Sequence, residues 1–453
     1  MSPTSATAPG PGSVDVRPPR RLRGAVRVPG DKSISHRAAI MNAFARGRAR
    51  ITNFSTGADC QSTLACLRTL GVQLECEPGD GGRGPTVTIA GASGRFVEPI
   101  LPLDAGNSGT TMRLLAGLLA GQSIFSVLAG DASLSARPML RVVEPLRQMG
   151  AHIAGRQAGR FAPLAITGGP LRGLDYTAPV ASAQIKSCVL LAGLQAQGET
   201  VVRAPAASRD HTERLLRAQG ARVREEGSVV SVTGGAQLAA VDVDVPGDFS
   251  AAAYWLALAC AHPDAVITVR DVGINPGRVG LLDILREMGA DVEVLDERTV
   301  AGEPRADLVA RSSVLHGVTV AEELVPRAID ELPLVAVLAL FADGVTEIRD
   351  AAELRVKESD RITSLARELV RLGGQVEELP DGLRIVGGVP LEAAACDSHA
   401  DHRLAMSLAV AGLAGAGVRI GAAECVAISY PAFWDHARAL GGDVGLLEPV
   451  GCP

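Results

Sequence analysis

One pattern recurs six times along the 453 residues: an amphipathic run ends at a glycine, and a short alternating segment follows. A glycine at this place is typical of a helix C-terminus, where the next residue often adopts a left-handed conformation. The segment that follows has the two-residue period of a half-buried strand. The glycines that end the six runs are Gly71, Gly150, Gly220, Gly289, Gly373 and Gly441.

The spacing of these glycines indicates the size of the repeated unit. They are separated by 79, 70, 69, 84 and 68 residues, which predicts a βαβαββ-like module rather than a single helix–strand pair. A leucine-rich helix ending at glycine is also common in unrelated α/β proteins, so two copies alone would prove little. Six copies at near-regular spacing favour internal repetition. Because the chain is too long for one ordinary core, we predict two similar domains of three units each.

Two Pro-Gly turns predict where the chain passes between the domains. An alternating segment meets a Pro-Gly turn within Val241–Asp248, and an apolar helix begins at Ser250, with suitable capping residues. Another alternating segment ends at Pro29 and Gly30. The predicted division is a disordered tail over 1–20, one domain over 31–246, and a second domain built from 21–30 and 247–450.

Composition argues against several classes of protein. The formal charge of −6 is unlike that of a general nucleic-acid or membrane-surface binder, and the longest apolar stretches are too short to span a bilayer. The eight cysteines include no Cys-x-x-Cys pair, which favours free thiols in a reducing cytoplasm. The first 20 residues are rich in Pro, Ser, Thr, Ala and Gly, so they predict a disordered tail rather than a signal peptide.

Lysine is rare in this chain. Only three of the 44 basic residues are lysines, and the other 41 (44 − 3) are arginines. Lysine carries a rotatable ammonium whose pKa can shift, whereas arginine stays planar and charged. Lys32, Lys186 and Lys357 each lie in a dense polar cluster. Chance explains any one of them, but three out of three favours functional sites.

Small polar residues precede several predicted apolar helices. Backbone N–H groups at a helix N-terminus, together with nearby cations, favour anion binding, although an ordinary capped helix start also explains each segment. The segments and the helices they precede are Asp31–Arg37 before Ala38–Ala45, Gly106–Arg113 before Leu114–Ala120, and Ser182–Ser187 before Cys188–Leu194.

Acidic residues occur in three further clusters. Asp330 and Glu331 precede the apolar run Leu332–Ala342, where capping is the alternative. If Leu354–Arg361 begins a helix, Lys357 and Arg361 share one face and favour an anion between them; a solvated charged face is the alternative. His399–Arg403 has metal-binding residue types, but a helix start explains it better.

No nucleophile elbow or zinc-protease motif occurs, and no Gly-x-Gly-x-x-Gly run opens a predicted helix as a dinucleotide fingerprint would. Many cations, small polar groups and few acids instead favour binding of phosphorylated, carboxylated small molecules, with acid–base catalysis.

These motifs together resemble the 5-enolpyruvylshikimate-3-phosphate synthase (3-phosphoshikimate 1-carboxyvinyltransferase) family of enolpyruvyl transferases. The resemblance runs from about Leu22 to Leu446. The motifs that carry it are Pro29–Arg37, Gly106–Arg113, Ala136–Pro138, Ser182–Gln184, Ile329–Glu331, Arg355–Arg361 and Asp401–Arg403.

The resemblance implies an α/β protein of two similar domains, each of three βαβαββ units in an inverted α/β barrel-like arrangement, with an interdomain cleft. It implies transfer of the enolpyruvyl group of phosphoenolpyruvate to the 5-hydroxyl of shikimate 3-phosphate, with release of phosphate, in aromatic amino-acid biosynthesis. It further implies a tetrahedral intermediate, no metal or organic cofactor, and a cytoplasmic monomer that binds neither nucleic acid nor membrane.

Site roles follow from the same resemblance. Asp330 is expected to accept the hydroxyl proton, Glu358 to protonate or deprotonate the methylene carbon, and Lys32 to take part in proton transfer. The residues expected to bind shikimate 3-phosphate are Lys32, Ser33, Arg37, Ser182, Ala183, Gln184, Arg209, Asp330 and Lys357. Those expected to bind phosphoenolpyruvate are Lys32, Asn107, Gly109, Arg137, Gln184, Arg361 and Arg403. Lys186 is expected only to orient its loop.

One feature departs from the family. Part of the family has a further phosphoenolpyruvate-binding lysine before an aromatic-Pro turn, and Ala427–Pro431 has none, so water or an arginine must replace it. The herbicide glyphosate is expected to compete with phosphoenolpyruvate, because Gly109 has no side chain to crowd it.

The alternatives are a UDP-N-acetylglucosamine enolpyruvyltransferase, an RNA 3′-phosphate cyclase-like protein, and a silent binding module. The first would carry Lys-Asn where this chain has Lys32-Ser33, and a cysteine in the loop before Arg137. The net negative charge argues against an RNA-binding cyclase, and the acids Asp330 and Glu358 argue against a binding module without catalytic activity.

Overall fold

The computed structural model describes residues 12–445. Strands β1 to β26 are, in chain order, Val14–Arg17, Leu22–Val26, Arg48–Thr52, Gln73–Glu77, Thr86–Ala90, Leu103–Asp104, Phe125–Ala129, His152–Gly155, Phe161–Thr167, Leu171–Arg172, Asp175–Thr177, Ala196–Gln197, Glu199–Arg203, Val223–Glu226, Val229–Thr233, Val243–Asp244, Ala265–Gly273, Asp291–Val300, Glu303–Arg311, Thr319–Val320, Val345–Ile348, Gln375–Leu379, Gly382–Val386, Ala394–Asp397, Val418–Gly421 and Asp443–Val444.

Helices α1 to α15 are Lys32–Phe44, Ala58–Thr69, Gly109–Ala120, Ala132–Ala136, Leu140–Gln148, Arg156–Gly159, Ala183–Gly193, His211–Ala218, Phe249–Ala261, Gly280–Glu287, Leu324–Ala328, Leu332–Phe341, Arg361–Arg371, His402–Ala414 and Phe433–Ala439. Two 3₁₀ helices cover Ala352–Val356 and Ala423–Ile428. Among residues 12–445, no helix combines the length and the apolar character needed to cross a bilayer.

The same four-stranded sheet occurs six times. In each sheet an edge strand runs parallel to its neighbour, and the remaining contacts are antiparallel. The strand orders are β16-β3-β5-β4, β6-β7-β9-β8, β11-β13-β15-β14, β18-β19-β17-β2, β20-β21-β23-β22 and β24-β25-β1-β26. With two main helices per sheet, these are six βαβαββ units, which confirms the predicted repeat.

The repeated glycines end one helix in each unit. All six have a positive φ, between 82° and 110°. The helices before them are α2, α5, α8, α10, α13 and α15, and a strand follows each glycine within three residues. The left-handed conformation, which costs glycine little, explains why this residue recurs.

Buried apolar side chains form two separate cores. One core draws on residues between Ile34 and Val245, and the other on residues from Val14 to Val28 and from Phe249 to Leu440. The packed helices α1, α3 and α7 lie in the first core, and α9, α12 and α14 lie in the second. We call the parts of the chain around these cores the first half and the second half. The domain boundaries at 31–246 and at 21–30 with 247–450 stay a prediction, which the two cores support.

The two Pro-Gly turns lie side by side where the chain passes between the halves. The Asp31 N–H donates to the Pro246 carbonyl, and the Asp248 N–H donates to the Pro29 carbonyl, each at 2.8 Å. A Cβ atom at Gly30 would lie 1.8 Å from the carbonyl oxygen of Asn53, so only glycine fits there.

The prediction that residues 1–20 form a disordered tail is wrong for Val14–Arg17. These residues form β1, which pairs with β25 and β26 and completes the sixth sheet. The alternating Val14 and Val16 side chains are buried in the second core, and a composition averaged over 20 residues hid so short a strand. Residues 1–11 of the predicted tail and 446–450 of the predicted second domain lie outside the described residues.

Candidate active site

A cavity of about 700 Å³ lies between the two cores. Its wall combines the first residues of inner helices from both halves with the segments that connect the elements. Helices α1, α3 and α7 begin at Lys32, Gly109 and Ala183, five or six residues before the starts predicted at Ala38, Leu114 and Cys188. Those predictions were late because apolar periodicity begins only after a polar first turn.

Side-chain caps explain the earlier starts of α1 and α3. The Asp31 carboxylate accepts from the Ile34 N–H at 2.8 Å, and the Ser108 hydroxyl accepts from the Thr111 N–H at 3.1 Å. Each cap satisfies a backbone donor that the helix leaves unpaired. The polar motif residues therefore occupy the first helical turns, where free N–H groups and the helix dipole favour an anion.

Most of the predicted site residues meet at this cavity. Those that line it are Lys32, Ser33, Arg137, Ser182, Ala183, Gln184, Arg209, Asp330, Lys357, Glu358 and Arg403. The predicted residues that do not line it are Arg37, Asn107, Gly109 and Arg361.

Arg37 lies buried beneath the cavity wall. Its guanidinium donates to the Thr212 hydroxyl at 2.7 Å, the Ser187 hydroxyl at 2.9 Å and the Ser33 carbonyl at 3.0 Å. Asn107 supports the wall instead, because its carbonyl oxygen accepts from Arg137 at 2.6 Å.

Lys32 forms an ion pair with Asp59. Its ammonium lies 3.0 Å from the carboxylate of Asp59, at the start of α2. Burial alone would lower the pKa of Lys32, but Asp59 and Glu358 together outweigh it and raise that pKa above its ordinary value. Sequence reasoning missed Asp59, because an acid in the first turn of a helix is also an ordinary helix-stabilising residue.

Three arginines of the first half, Arg113, Arg137 and Arg141, line the cavity close together. Burial, together with the nearby charges of Arg141 and Arg137, lowers the pKa of Arg113 to about 9. Arg113 donates to the side-chain oxygen of Gln184, whose amide donates to the Thr110 hydroxyl at 3.0 Å. A substrate anion would relieve the repulsion within this cluster.

Two buried arginines of the second half, Arg361 and Arg403, are held by hydrogen bonds near the cavity. Arg361 donates through Nε to Asp401 at 2.7 Å and through Nη2 to Glu358 at 2.7 Å. Arg403 donates through Nη1 to the Ser250 hydroxyl at 3.0 Å and to the Asp330 carbonyl at 3.1 Å. Asp401 thus orients one of the predicted phosphoenolpyruvate ligands.

The expectation that Lys357 and Arg361 share a helix face is wrong. Residues Ala352–Val356 form a 3₁₀ helix, and α13 begins only at Arg361. Asp360 is the N-cap of α13, with its carboxylate accepting from the Thr363 N–H at 3.2 Å, so the helix does not extend back to Lys357.

Both candidate acids are held by arginines from the opposite half. Arg209 donates to Asp330 at 2.5 Å, and Arg137 Nη1 lies 3.4 Å from Glu358 Oε1. Burial would raise both carboxyl pKa values, but the surrounding cations outweigh it. They are led by Arg403 and Arg209 at Asp330, and by Arg361 and Arg137 at Glu358. Both pKa values therefore lie well below their usual range.

Arg278 and His402 also line the cavity. Arg278 donates to both carboxylate oxygens of Glu331 at 3.1 Å. It lies in a segment without a recognisable pattern, so sequence reasoning missed it. Burial lowers the pKa of His402 to about 4, which leaves its imidazole neutral. Within residues 12–445, no group of three or more His, Cys, Asp and Glu side chains is arranged to hold a metal ion.

Lys186 does not line the cavity. Its ammonium lies 2.5 Å from the buried Glu213 carboxylate and donates to the Ser208 carbonyl at 3.3 Å. These contacts hold the loop that carries Arg209.

Comparison with known proteins identifies the same family that the sequence motifs resemble. The family model of EPSP synthase (3-phosphoshikimate 1-carboxyvinyltransferase) matches residues 16–437. A protein named 3-phosphoshikimate 1-carboxyvinyltransferase from Synechococcus sp. (strain JA-3-3Ab) is 54% identical over 426 residues, covering 92% of this chain and 94% of the relative. One of the same name from Gloeobacter violaceus is 53% identical, covering 93% and 97%.

Solved structures of enolpyruvyl transferases have the same fold as this chain. An EPSP synthase from Acinetobacter baumannii superposes with a TM-score of 0.84 at 42% identity, covering 96% of this chain and all of that one. The enolpyruvyl transferase NikO from Streptomyces tendae shares the fold, with a TM-score of 0.75 at 21% identity, covering 96% of this chain and 99% of that one.

Proposed function

The chain belongs to the EPSP synthase (3-phosphoshikimate 1-carboxyvinyltransferase) family, and on that premise we propose how its cleft carries out the reaction. The enzyme moves the enolpyruvyl group of phosphoenolpyruvate to the 5-hydroxyl of shikimate 3-phosphate and releases phosphate. The UDP-sugar and RNA alternatives are not favoured, because the family and the named relatives agree on one reaction. The observation that carries the proposed mechanism is the pairing of both candidate acids with arginines across the cleft.

Shikimate 3-phosphate binds chiefly against the first half. Its phosphate meets Arg209 and the first turn of α7, which supplies the residues Ser182, Ala183 and Gln184 together with free backbone N–H groups. Ser33 adds a hydroxyl near Arg209, at 3.3 Å in the present arrangement. We assign Arg37 a positioning role, because its guanidinium donates to the Ser33 carbonyl.

Phosphoenolpyruvate binds between the two halves. Its phosphate and carboxylate suit the paired N–H groups of guanidinium forks, which come from Arg137 on one side and from Arg361 and Arg403 on the other. Lys32, Asn107, Gly109 and Gln184 complete this set. Arg113, buried beside Gln184, adds positive charge to this side of the cavity.

Substrate binding activates the two acids. When the substrate anions take up the N–H groups of all four surrounding arginines, Asp330 and Glu358 are no longer neutralised as fully. These arginines are Arg403 and Arg209 at Asp330, and Arg361 and Arg137 at Glu358. The pKa values of both carboxyl groups then rise towards the range in which they exchange protons effectively. The substrates thus prepare the groups that react with them.

The chemistry proceeds by addition and elimination. Asp330 accepts the 5-hydroxyl proton as that oxygen bonds to C2 of phosphoenolpyruvate, and Glu358 delivers a proton to C3. The C2–O bond to phosphate then breaks, and Glu358 takes back a proton from C3. The ammonium of Lys32 stabilises the departing phosphate and passes to it the proton that Asp330 accepted. Lys357 steadies the hydroxyl side, and closure of the cleft excludes water.

We propose three further features of the protein. The two halves are the domains predicted at 31–246 and at 21–30 with 247–450, and they close over the substrates. The protein acts as a monomer without nucleic acid or membrane. It works in the cytoplasm, a view supported by seven free cysteines among the described residues.

Phosphate release tests the proposal. Phosphoenolpyruvate is supplied with shikimate 3-phosphate or with UDP-N-acetylglucosamine, and release is expected only with the former. Asp330→Asn and Glu358→Gln should each lower kcat by about 1,000-fold, because each removes a proton carrier. The surface variant Asp175→Asn is the control. Full activity of either active-site variant would contradict the assigned roles.

A further inference from the structure

A further ion pair crosses the cleft, formed by residues that have no proposed substrate role. Arg141, near the start of α5, places Nη1 2.9 Å from Oε1 of Glu353 in the 3₁₀ helix. Both side chains line the cavity, and they are 15% and 35% exposed. This partial burial protects the pair from much of the screening that weakens surface ion pairs.

This pair lies beside the pair between Arg137 and Glu358. On the first half, Arg141 lies four residues after Arg137. On the second half, Glu353 lies five residues before Glu358. The two segments therefore face each other in antiparallel directions, with an ion pair at each end. Only the pair at Arg137 joins groups assigned to phosphoenolpyruvate and to proton transfer.

The different roles of the two pairs create a problem for closure. During catalysis Arg137 must exchange Glu358 for a substrate anion, so that contact weakens when the cleft has to stay closed. The pair at Arg141 faces no such exchange. Burial would raise the pKa of Glu353, but Lys357 and Arg141 outweigh it and lower that pKa, so the carboxylate stays ionised at neutral pH.

We propose that Arg141 and Glu353 form a latch that keeps this edge of the cleft closed while Arg137 exchanges its partner. The inference rests on the proposed function, because the exchange at Arg137 follows from the assigned role of that residue. The latch stabilises the closed arrangement with or without substrate. Substrates bind more weakly when a smaller fraction of the protein is closed.

Arg141→Gln is the primary test variant, because it leaves the contact of Glu353 with Lys357, at 3.8 Å, in place. Glu353→Gln and the double variant complete a double-mutant cycle. The control is Arg203→Gln, which removes an exposed pair with Asp175 inside the first half. Steady-state kinetics give KM for each substrate and kcat, and small-angle X-ray scattering of the free protein gives the radius of gyration.

For Arg141→Gln we expect KM to rise about fivefold for both substrates, with kcat within about twofold of the parent value. The double variant should raise KM no more than the worse single variant, because both remove the same interaction. The radius of gyration without substrate should increase and return to the parent value when both substrates are saturating. Arg203→Gln should change none of these quantities.

Three results would overturn the latch: an unchanged KM, a rise for one substrate only, or effects of the single variants that multiply in the double variant. A rise for one substrate would make Arg141 a ligand of that substrate. Failure of the proposed function is distinguishable, because the parent protein would then release no phosphate. The scattering measurement would still report on closure in that case.

Discussion

The ion pair between Lys32 and Asp59 leads to a quantitative prediction for Asp59→Asn. The charged atoms are 3.0 Å apart, and the side chains are 19% and 11% exposed. At an effective dielectric constant of about 20, this separation corresponds to a Coulomb attraction of about 5.5 kcal/mol. Asparagine keeps the size of the side chain and removes the charge, which leaves the ammonium partly buried without its partner.

The expected loss is smaller than the gross attraction, because part of that attraction offsets desolvation. Removing one partner of a buried pair commonly costs about 3 kcal/mol. If that cost falls on the transition state that Lys32 stabilises, kcat/KM falls on the order of 100-fold. The direction of the accompanying pKa change is also fixed. Burial lowers the pKa of Lys32 and Asp59 raises it, so the variant should have a lower lysine pKa.

The assay is the pH dependence of kcat/KM for the parent and for Asp59→Asn. Because protonated Lys32 is the active form, activity should decline on the alkaline side at a lower pH in the variant. Glu75→Gln, which removes a surface partner of Arg48, is the control and should leave the profile unchanged. An identical alkaline limb in Asp59→Asn, with the protein folded by circular dichroism, would refute the reasoning.

Three other predictions follow from single sites. Lys32→Arg should nearly abolish turnover although it keeps the charge, whereas Lys186→Arg should be mild in the same assay, because that lysine lies outside the cavity wall; equal tolerance of both would mean that the scarcity of lysine has no functional cause. Glyphosate should inhibit in competition with phosphoenolpyruvate, and Gly109→Ala should weaken it, since a Cβ atom there would lie 2.7 Å from the Arg113 guanidinium; inhibition that phosphoenolpyruvate does not relieve would count against this. Burial lowers the pKa of His36 from 6.5 to about 3, so the unfolded chain takes up the proton first and stability falls with pH below 6.5. Denaturant titrations should show about 2.3 kcal/mol of that loss between pH 6.5 and 4.5, absent in His36→Gln; an equal loss in the variant would exclude this histidine as the cause.

Local signals in the sequence were sufficient to predict the repeat. A helix-ending glycine is needed at Gly71 and at each later copy because of the backbone conformation there, and this requirement is visible in one chain. The strand Val14–Arg17 was not predicted, because its partners come from the other end of the chain. This strand completes the sixth sheet, and a pairing between the two ends of the chain leaves no periodic signal in the sequence.

The sequence predicted which residues belong to the site better than it predicted which of them contact one another. The motifs identified Arg137 and Glu358, but not their approach across the cleft, since they are 221 residues apart in the sequence. Asp59 and Arg278 were missed because a single charged residue has no period and no motif. The burial of Arg37 was also missed, because a motif does not show which of its side chains faces the cavity.

Enolpyruvyl transfer in D₂O tests the central claim most directly. The protein is incubated with phosphoenolpyruvate and shikimate 3-phosphate, and phosphorus and proton NMR follow the reaction. The account predicts one equivalent of inorganic phosphate per enol ether formed, with deuterium entering the methylene group of the product because C3 is protonated and deprotonated at the site. Unchanged phosphoenolpyruvate in the presence of folded protein, or a product free of deuterium, would contradict it.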